Sequence, residues 1–129
     1  MTRRIARILL PPIALYFLLA ASPAIEGQTK QITAAEAKNH IGEREKVCGK
    51  VATARYASNA KGQPTFLNLD EPYPKQVFTV LIWGSDRSKF GQPESEYRDK
   101  RVCVTGKITS YRGAPEIVVI DPGQVQFEK

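Results

Sequence analysis

The chain has few residues of the kinds that carry metal, redox or nucleophilic chemistry. Its 129 residues include only two cysteines, Cys48 and Cys103, and one histidine, His40. Without a Cys-x-x-Cys pair, the cysteines cannot form the usual closed zinc site unless carboxylates join them. The sequence also contains no Gly-x-Ser-x-Gly elbow for a nucleophilic serine. We therefore expect no metal, no cofactor and no catalytic residue.

Long apolar runs are also scarce, and the one near the N-terminus is short. It covers residues 8–21, follows a basic stretch with three arginines, and precedes the small residues 22–24. A transmembrane helix needs about 20 apolar residues. The pattern predicts a secretory signal peptide over 1–24 and a periplasmic or secreted protein. An uncleaved membrane anchor is the alternative; otherwise the membrane is a partner only through the signal peptide.

Acidic residues are fewer than basic ones, but the excess is small in the expected mature chain. The whole chain has 19 Lys+Arg and 13 Asp+Glu. Loss of Arg3, Arg4 and Arg7 with the signal peptide leaves 16 basic residues against 13 acidic ones, a net charge of +3. A charge of this size is compatible with an anionic partner but does not indicate one.

The remaining 105 residues, 25–129, have the size of one domain and are dominated by strand patterns. Thr33 and Glu36 have the spacing of a capping box, which predicts a short helix over 33–41 in an N-terminal segment 25–41. A second short helix is expected over 87–90. Apolar residues alternating with a period of two predict five strands, over 46–56, 65–69, 76–83, 101–111 and 115–120, with a last short pairing at Val125 and Phe127.

Two strands contain the same short pattern, a glycine and a lysine followed by an aliphatic residue. It occurs at Gly49–Val51 in the first strand and at Gly106–Ile108 in the fourth. A strand that bends sharply commonly does so at a glycine or a bulge. The pattern is too short to be a duplicated domain. We interpret it as one constraint that acts on two strands.

Together, these strands resemble an OB-fold of the tRNA-anticodon-binding-like group, and most closely its small exported bacterial versions. The resemblance covers 42–125 and is carried by four stretches, Val47–Val51, Pro64–Leu69, Phe78–Trp83 and Val104–Ile108. It implies an all-β protein, with a five-stranded Greek-key barrel over 42–129 and a short helix between the third and fourth strands.

The resemblance also implies a ligand-binding face across strands two and three and the adjoining loops. Single-stranded nucleic acid needs cations near its phosphates and aromatic rings against its bases. The residues predicted to bind it are Arg55, Tyr56, Lys61, Phe66, Asn68, Tyr111 and Arg112. We therefore expect an exported monomer that binds single-stranded DNA or RNA with little sequence preference.

Other interpretations of the same residues stay open. Trp83 is expected to pack at a corner beside Gly84, and the remaining basic and aromatic residues would also suit an ordinary surface. The alternative function is binding of a protein or an oligosaccharide. A nuclease is a third hypothesis, with candidate residues whose spacing does not match that family's pattern, Asp70, Glu71, Arg87 and Arg112.

An OB barrel makes the first and fourth strands antiparallel neighbours, which places Cys48 opposite Cys103. Both cysteines lie on the strand phase opposite the valine–glycine core phase, so they would face each other on the outside of the barrel. Export would place them in an oxidising compartment. We therefore predict a Cys48–Cys103 disulfide.

Overall fold

Seven strands are found in the described residues, 10–14 and 31–129, of this computed structural model. They are β1 Gln31–Thr33, β2 Arg44–Tyr56, β3 Thr65–Leu69, β4 Phe78–Ile82, β5 Arg101–Tyr111, β6 Ala114–Val118 and β7 Val125–Phe127. Two single-turn helices follow β4, α1 Gly84–Arg87 and α2 Pro93–Glu96. The signal peptide predicted over 1–24 lies outside the described residues, except for 10–14.

Five of these strands close into a barrel. Their order around it is β2–β3–β4–β6–β5, and β5 pairs again with β2. Every pairing in the ring is antiparallel except that of β4 with β6, which is parallel. This is the Greek-key arrangement of an OB-fold, so the predicted fold class is confirmed. Outside the ring, β1 pairs with β2, and β7 pairs with β5.

One face of each barrel strand fills the interior. The largest fully buried side chains are Phe78, Leu67, Leu69, Ile82, Ile108 and Ile117, together with six valines. Residues Ile32, Ala34 and Ala37 join the same core from the N-terminal side. All of β4 is buried, as its two apolar faces predict for a central strand. No helix of the described part is long and apolar enough to cross a membrane.

The repeated Gly-Lys-aliphatic pattern marks the point where two strands change partner. β2 pairs with β5 as far as Lys50 and with β3 from Val51 onward. β5 pairs with β2 as far as Lys107 and with β6 from Ile108 onward. A Cβ added at Gly106 would lie 2.7 Å from a side-chain carbon of β6, so this strand requires a glycine for close approach. β2 and β5 therefore meet the same constraint, which is a change of pairing partner within one strand.

A bulge in β2 corrects one face assignment. Simple alternation places Thr53 on the same face as Val51, but the register with β3 shifts between these two residues. Ala54 consequently turns into the core, and Thr53 and Arg55 project from the outer face. One extra residue reverses the side-chain phase of everything beyond it, and the sequence contains no glycine or proline at this point to indicate the bulge.

The predicted helix over 33–41 is shorter in the structure and of a different type. The capping bonds do form: the Glu36 amide donates to Thr33 Oγ1 at 3.2 Å, and that hydroxyl donates to Glu36 Oε1 at 2.9 Å. However, the chain makes only a turn and one 3-10 turn at Ala37–Asn39. The second predicted helix begins earlier than expected, since α1 starts at Gly84 and a 3-10 turn follows over 88–90.

The predicted disulfide joins Cys48 and Cys103 across the β2–β5 pair. The two residues are direct partners in the register, with their Cα atoms 4.0 Å apart. They lie on the strand face opposite the core, but they are buried rather than exposed. Thr33 of β1 flanks Cys48, and Gln126 of β7 flanks Cys103. The bond is compatible with an oxidising compartment.

Replacing both cysteines with alanine is expected to lower the free energy of unfolding by about 2–4 kcal/mol. The bond links residues 55 positions apart, so its loss frees a long loop in the unfolded chain. Urea unfolding followed by circular dichroism measures the change, with the reduced natural protein as a control for the altered side chains. Mass spectrometry after alkylation tests the bond directly. Two thiols that react in the unreduced natural protein would contradict it.

Candidate functional site

A concave cleft of about 550 Å³ lies on the outer face of the barrel. It crosses the half of the barrel formed by the second part of β2, then β3, β4 and β6, and finally the end of β5. Because β2 and β5 part after their shared pairing, they form the two opposite edges of this surface. The cleft therefore lies between the two strands that also close the barrel.

Five of the seven residues predicted to bind nucleic acid line this cleft, namely Arg55, Phe66, Asn68, Tyr111 and Arg112. Arg55 and Phe66 are cross-strand partners on β2 and β3. Tyr111 and Arg112 come from the opposite edge, at the β5–β6 hairpin. The two arginines are thus contributed by opposite sides of the cleft.

The other two predicted residues, Tyr56 and Lys61, do not line the cleft. The Arg87 guanidinium lies 3.8 Å from the centroid of the Tyr56 ring, and the same guanidinium donates to Glu94 Oε1 at 2.6 Å. One face of Tyr56 therefore already contacts the protein itself. Lys61 is exposed in the loop between β2 and β3.

A row of four polar side chains crosses the floor of the cleft. Thr53, Asn68, Thr79 and Glu116 are successive partners in the register of β2, β3, β4 and β6. Asn68 Nδ2 donates to Thr53 Oγ1 at 3.0 Å, and Thr79 Oγ1 donates to Asn68 Oδ1 at 3.0 Å. These bonds fix the orientation of the Asn68 amide in the middle of the floor.

Glu116 ends this row with a carboxyl group that has no partner. The residue is only 9% exposed, and its carboxyl group forms no hydrogen bond or ion pair with any residue in the described ranges. Arg55 and Arg112 line the same cleft without pairing with it. Burial raises the pKa of Glu116 above its ordinary value of 4.5, because the charged form loses hydration.

Several lining residues were not predicted from the sequence, among them Thr53, Tyr73, Gln76, Thr79 and Glu116. Thr53 was missed because the bulge moves its side chain to the outer face. Tyr73 follows β3 in a segment rich in proline, and its backbone amide donates to Thr53 Oγ1 at 3.2 Å. Glu116 could have been found from the sequence, because it is an acidic residue in the otherwise apolar β6. It also lies on the strand face opposite the buried Ile117.

The hairpin between β5 and β6 brings a cation and an aromatic ring together at the rim. Arg112 and Gly113 have φ values of 50° and 80°, which fit a two-residue type I′ turn. The Arg112 guanidinium lies 5.3 Å from the centroid of the Tyr111 ring. Asparagine is favoured at the position of Arg112 in such turns, because most other side chains resist a positive φ.

The residues considered for nuclease chemistry are not gathered in the cleft. Asp70 Oδ1 accepts a hydrogen bond from the Lys50 amide at 2.9 Å and lies against the backbone of Gly49. Arg87 pairs with Glu94, as described above. Of the four candidates, Arg112 alone lines the cleft. Asp70 and Arg87 therefore make structural contacts away from the cleft.

Two groups of possible metal ligands occur in the described part of the chain. One combines Glu128 with the two cysteines, whose sulfur atoms are already used in the disulfide. The other combines His40, Glu43 and Glu45, where His40 Nδ1 lies 2.5 Å from Glu43 Oε2 and 3.7 Å from Glu45 Oε1. The His40 ring already hydrogen-bonds the Glu43 carboxylate, which explains the proximity of these two side chains.

The effect of Glu116 on stability is testable through its pH dependence. The pKa of Glu116 is higher in the folded protein than in the unfolded chain. At pH values between these two pKa values, the folded state therefore binds more protons than the unfolded state. The free energy of unfolding consequently falls as the pH rises through this range. Glu116→Gln should therefore gain stability relative to the natural protein as pH increases from about 4.5, the ordinary value. Thermal melts of both proteins at several pH values measure the difference. A difference that does not change with pH would disprove the assignment.

Comparison with known proteins found solved structures with low sequence identity and TM-scores below 0.5. No known protein family matches this chain, and no curated protein matches it either. One similar solved structure, described as an aspartyl-tRNA synthetase from Leishmania major Friedlin, has 13% identity and a TM-score of 0.49 over 83% of this chain. Another, an aspartyl tRNA synthetase from Entamoeba histolytica, has 15% identity and a TM-score of 0.46 over 79% of this chain. The chain spans only 22% of the length of each synthetase.

Proposed function

We propose that this protein binds single-stranded nucleic acid in the cleft described above. The observation that supports this most directly is the presence of two arginines and three aromatic side chains in one concave surface, Arg55, Arg112, Phe66, Tyr73 and Tyr111. Arginine neutralises phosphates, and aromatic rings stack on bases with about 1–3 kcal/mol per base. This combination serves most sequences, because every base has a stacking face.

The placement of the two arginines supports a strand that crosses the barrel. They stand on opposite edges of the cleft, Arg55 on β2 and Arg112 at the β5–β6 hairpin. A chain laid across the face would meet a cation on each side and aromatic rings between them. The volume of the cleft is in the range of sites that enclose a group of small-molecule size, so a base with its sugar is a suitable occupant.

Arg112 supplies a second line of support. An arginine with a φ of 50° occupies a backbone position where asparagine or glycine is more favourable. The fold itself does not need an arginine here. Backbone strain of this kind is concentrated at sites that bind or react, and here the strained residue is a cation at the rim of the cleft.

The protein is proposed to act outside the cytoplasm. The disulfide between Cys48 and Cys103 is of the kind that persists in oxidising compartments, and the N-terminal sequence has the pattern of a signal peptide. The ligand would then be nucleic acid that is present in the periplasm or outside the cell. We also propose that the protein is a monomer and that it has little sequence preference along most of the bound strand.

A salt titration with the Arg112→Asn variant tests this function. Binding of a fluorescent single-stranded oligonucleotide should weaken steeply with salt, because each neutralised phosphate releases counterions. Arg112→Asn should bind several-fold more weakly, and the slope of log K against log salt should become shallower by about 0.7. It should be at least as stable as the natural protein, because asparagine suits the turn. Fluorescence anisotropy and thermal melts measure the two effects.

Arg44→Asn is the matched control, since Arg44 is an exposed arginine on β2 outside the cleft. It should keep both the affinity and the salt slope. Absence of salt-sensitive binding at low ionic strength would disprove the proposal and favour a protein or an oligosaccharide as the ligand. Equal losses in the two variants would show that the cleft is not the place of binding.

A further inference from the structure

The cleft is lined by two residues with hydrogen-bond acceptors that lack donors. Glu116 is nine-tenths buried, and its carboxyl group has no partner among the described residues. Gln76 also lines the cleft, and its Oε1 atom is buried without a hydrogen bond. Buried polar groups are normally paired, because an unpaired one loses its hydration without compensation. Two unpaired acceptors in one cleft indicate a ligand that donates to them.

The neighbouring floor residues do not donate to Glu116. Thr79 uses its single hydroxyl hydrogen to donate to Asn68 Oδ1, so its oxygen only accepts from anything else. The Asn68 amide uses one N–H to donate to Thr53 Oγ1. At the Glu116 end of the floor, the Thr79 hydroxyl oxygen and the Glu116 carboxyl group therefore offer acceptors to a ligand.

The four common bases differ in how well they fit such a surface. Guanine has two adjacent donors on its Watson–Crick edge, N1–H and the N2 amino group, which match the two oxygens of a carboxylate. Adenine and cytosine place one amino donor beside a ring nitrogen that accepts. Thymine and uracil place one N3–H between two carbonyl oxygens. Only guanine can donate to both carboxylate oxygens without bringing an acceptor against one of them.

The charges around the cleft favour a nucleotide over other donors. A ligand that carries an amine or a guanidinium group could also pair with Glu116, but it would meet Arg55 and Arg112, which line the same cleft. A nucleotide satisfies both features, since its base is neutral and its phosphates are anionic. Aromatic side chains in the wall, Phe66 and Tyr111 among them, can enclose the ring of the base.

We propose that the cleft holds one guanine base of the bound strand, with the Glu116 carboxylate accepting from guanine N1–H and N2–H. This inference rests on the proposed function and adds a preference at a single position. The rest of the strand is held through phosphates and stacking, which read no sequence. Glu116 is thus the specificity-determining residue of the site.

The test compares bases at one position of the probe. The full chain is titrated into a fluorescent oligothymidylate of about ten nucleotides, a length within the site size of OB-folds. Its central base is replaced in turn by guanine, hypoxanthine, adenine or cytosine. Hypoxanthine keeps N1–H and lacks the N2 amino group, so it removes one of the two proposed bonds. The guanine probe should bind about tenfold more tightly than the hypoxanthine probe, in line with the discrimination of other bidentate pairs.

Glu116→Gln should bring the guanine-to-hypoxanthine ratio close to one, because an amide offers only one acceptor oxygen. Glu96→Gln is the matched control, since Glu96 is an exposed acid on α2 outside the cleft, and it should keep the ratio. Thermal melts confirm that both variants fold. The comparison of the two probes uses the natural protein, so it decides the proposal even if a variant is unstable.

The outcomes separate this inference from the function on which it rests. Salt-sensitive binding with equal affinity for all probes would overturn the guanine site and leave nucleic-acid binding intact. A ratio that survives in Glu116→Gln would overturn the role of Glu116. Absence of salt-sensitive binding to every probe would overturn both the function and the site.

Discussion

The pairing of β2 with β5 is the interaction on which the rest of the structure depends. It is the longest pairing in the barrel, with seven residue pairs from Arg44↔Lys107 to Lys50↔Arg101, and the disulfide crosses it. At its two ends the strands part and curve around to the opposite face, where they become the edges of the cleft. The closure of the barrel therefore also sets the distance between Arg55 and Arg112.

The fold was predictable because the barrel interior accepts one face of each strand. The alternation of valine, leucine and isoleucine follows directly from that constraint. The strand β5 has the same bounds in the structure as in the prediction. Phe66 and Asn68 could be assigned to the outer face because Leu67 and Leu69 fill the inner one. Once the fold was recognised, the hairpin between the fourth and fifth barrel strands located Tyr111 and Arg112. These residues follow from the strand periodicity together with the resemblance to an OB-fold.

The rest depended on geometry that leaves no pattern in the sequence. The bulge after Val51 turns Thr53 outward, and its residues have no unusual composition. Tyr56 follows Arg55 directly and looks equally suitable as a stacking residue, but the stacking of Arg87 is visible only in three dimensions. Thr33 and Glu36 made their predicted local bonds, yet pairing of β1 with β2 limited the helix. In each case a tertiary contact overrode a correct local signal.

Three departures from common folding rules meet in the cleft, although unpaired buried atoms also occur outside it, in Thr65, Arg87 and Glu94. Glu116 is nine-tenths buried and its carboxyl group has no partner among the described residues, Gln76 buries an acceptor, and Arg112 adopts a backbone conformation that suits another residue. Each feature lowers stability, and packing elsewhere must offset it. Their occurrence together is difficult to explain by folding, because uncharged or smaller residues would serve the barrel better. A bound strand would donate to Glu116 and present a phosphate to Arg112. The costs to folding and the proposed gains in binding therefore fall on the same residues, which is the relation expected of a functional site.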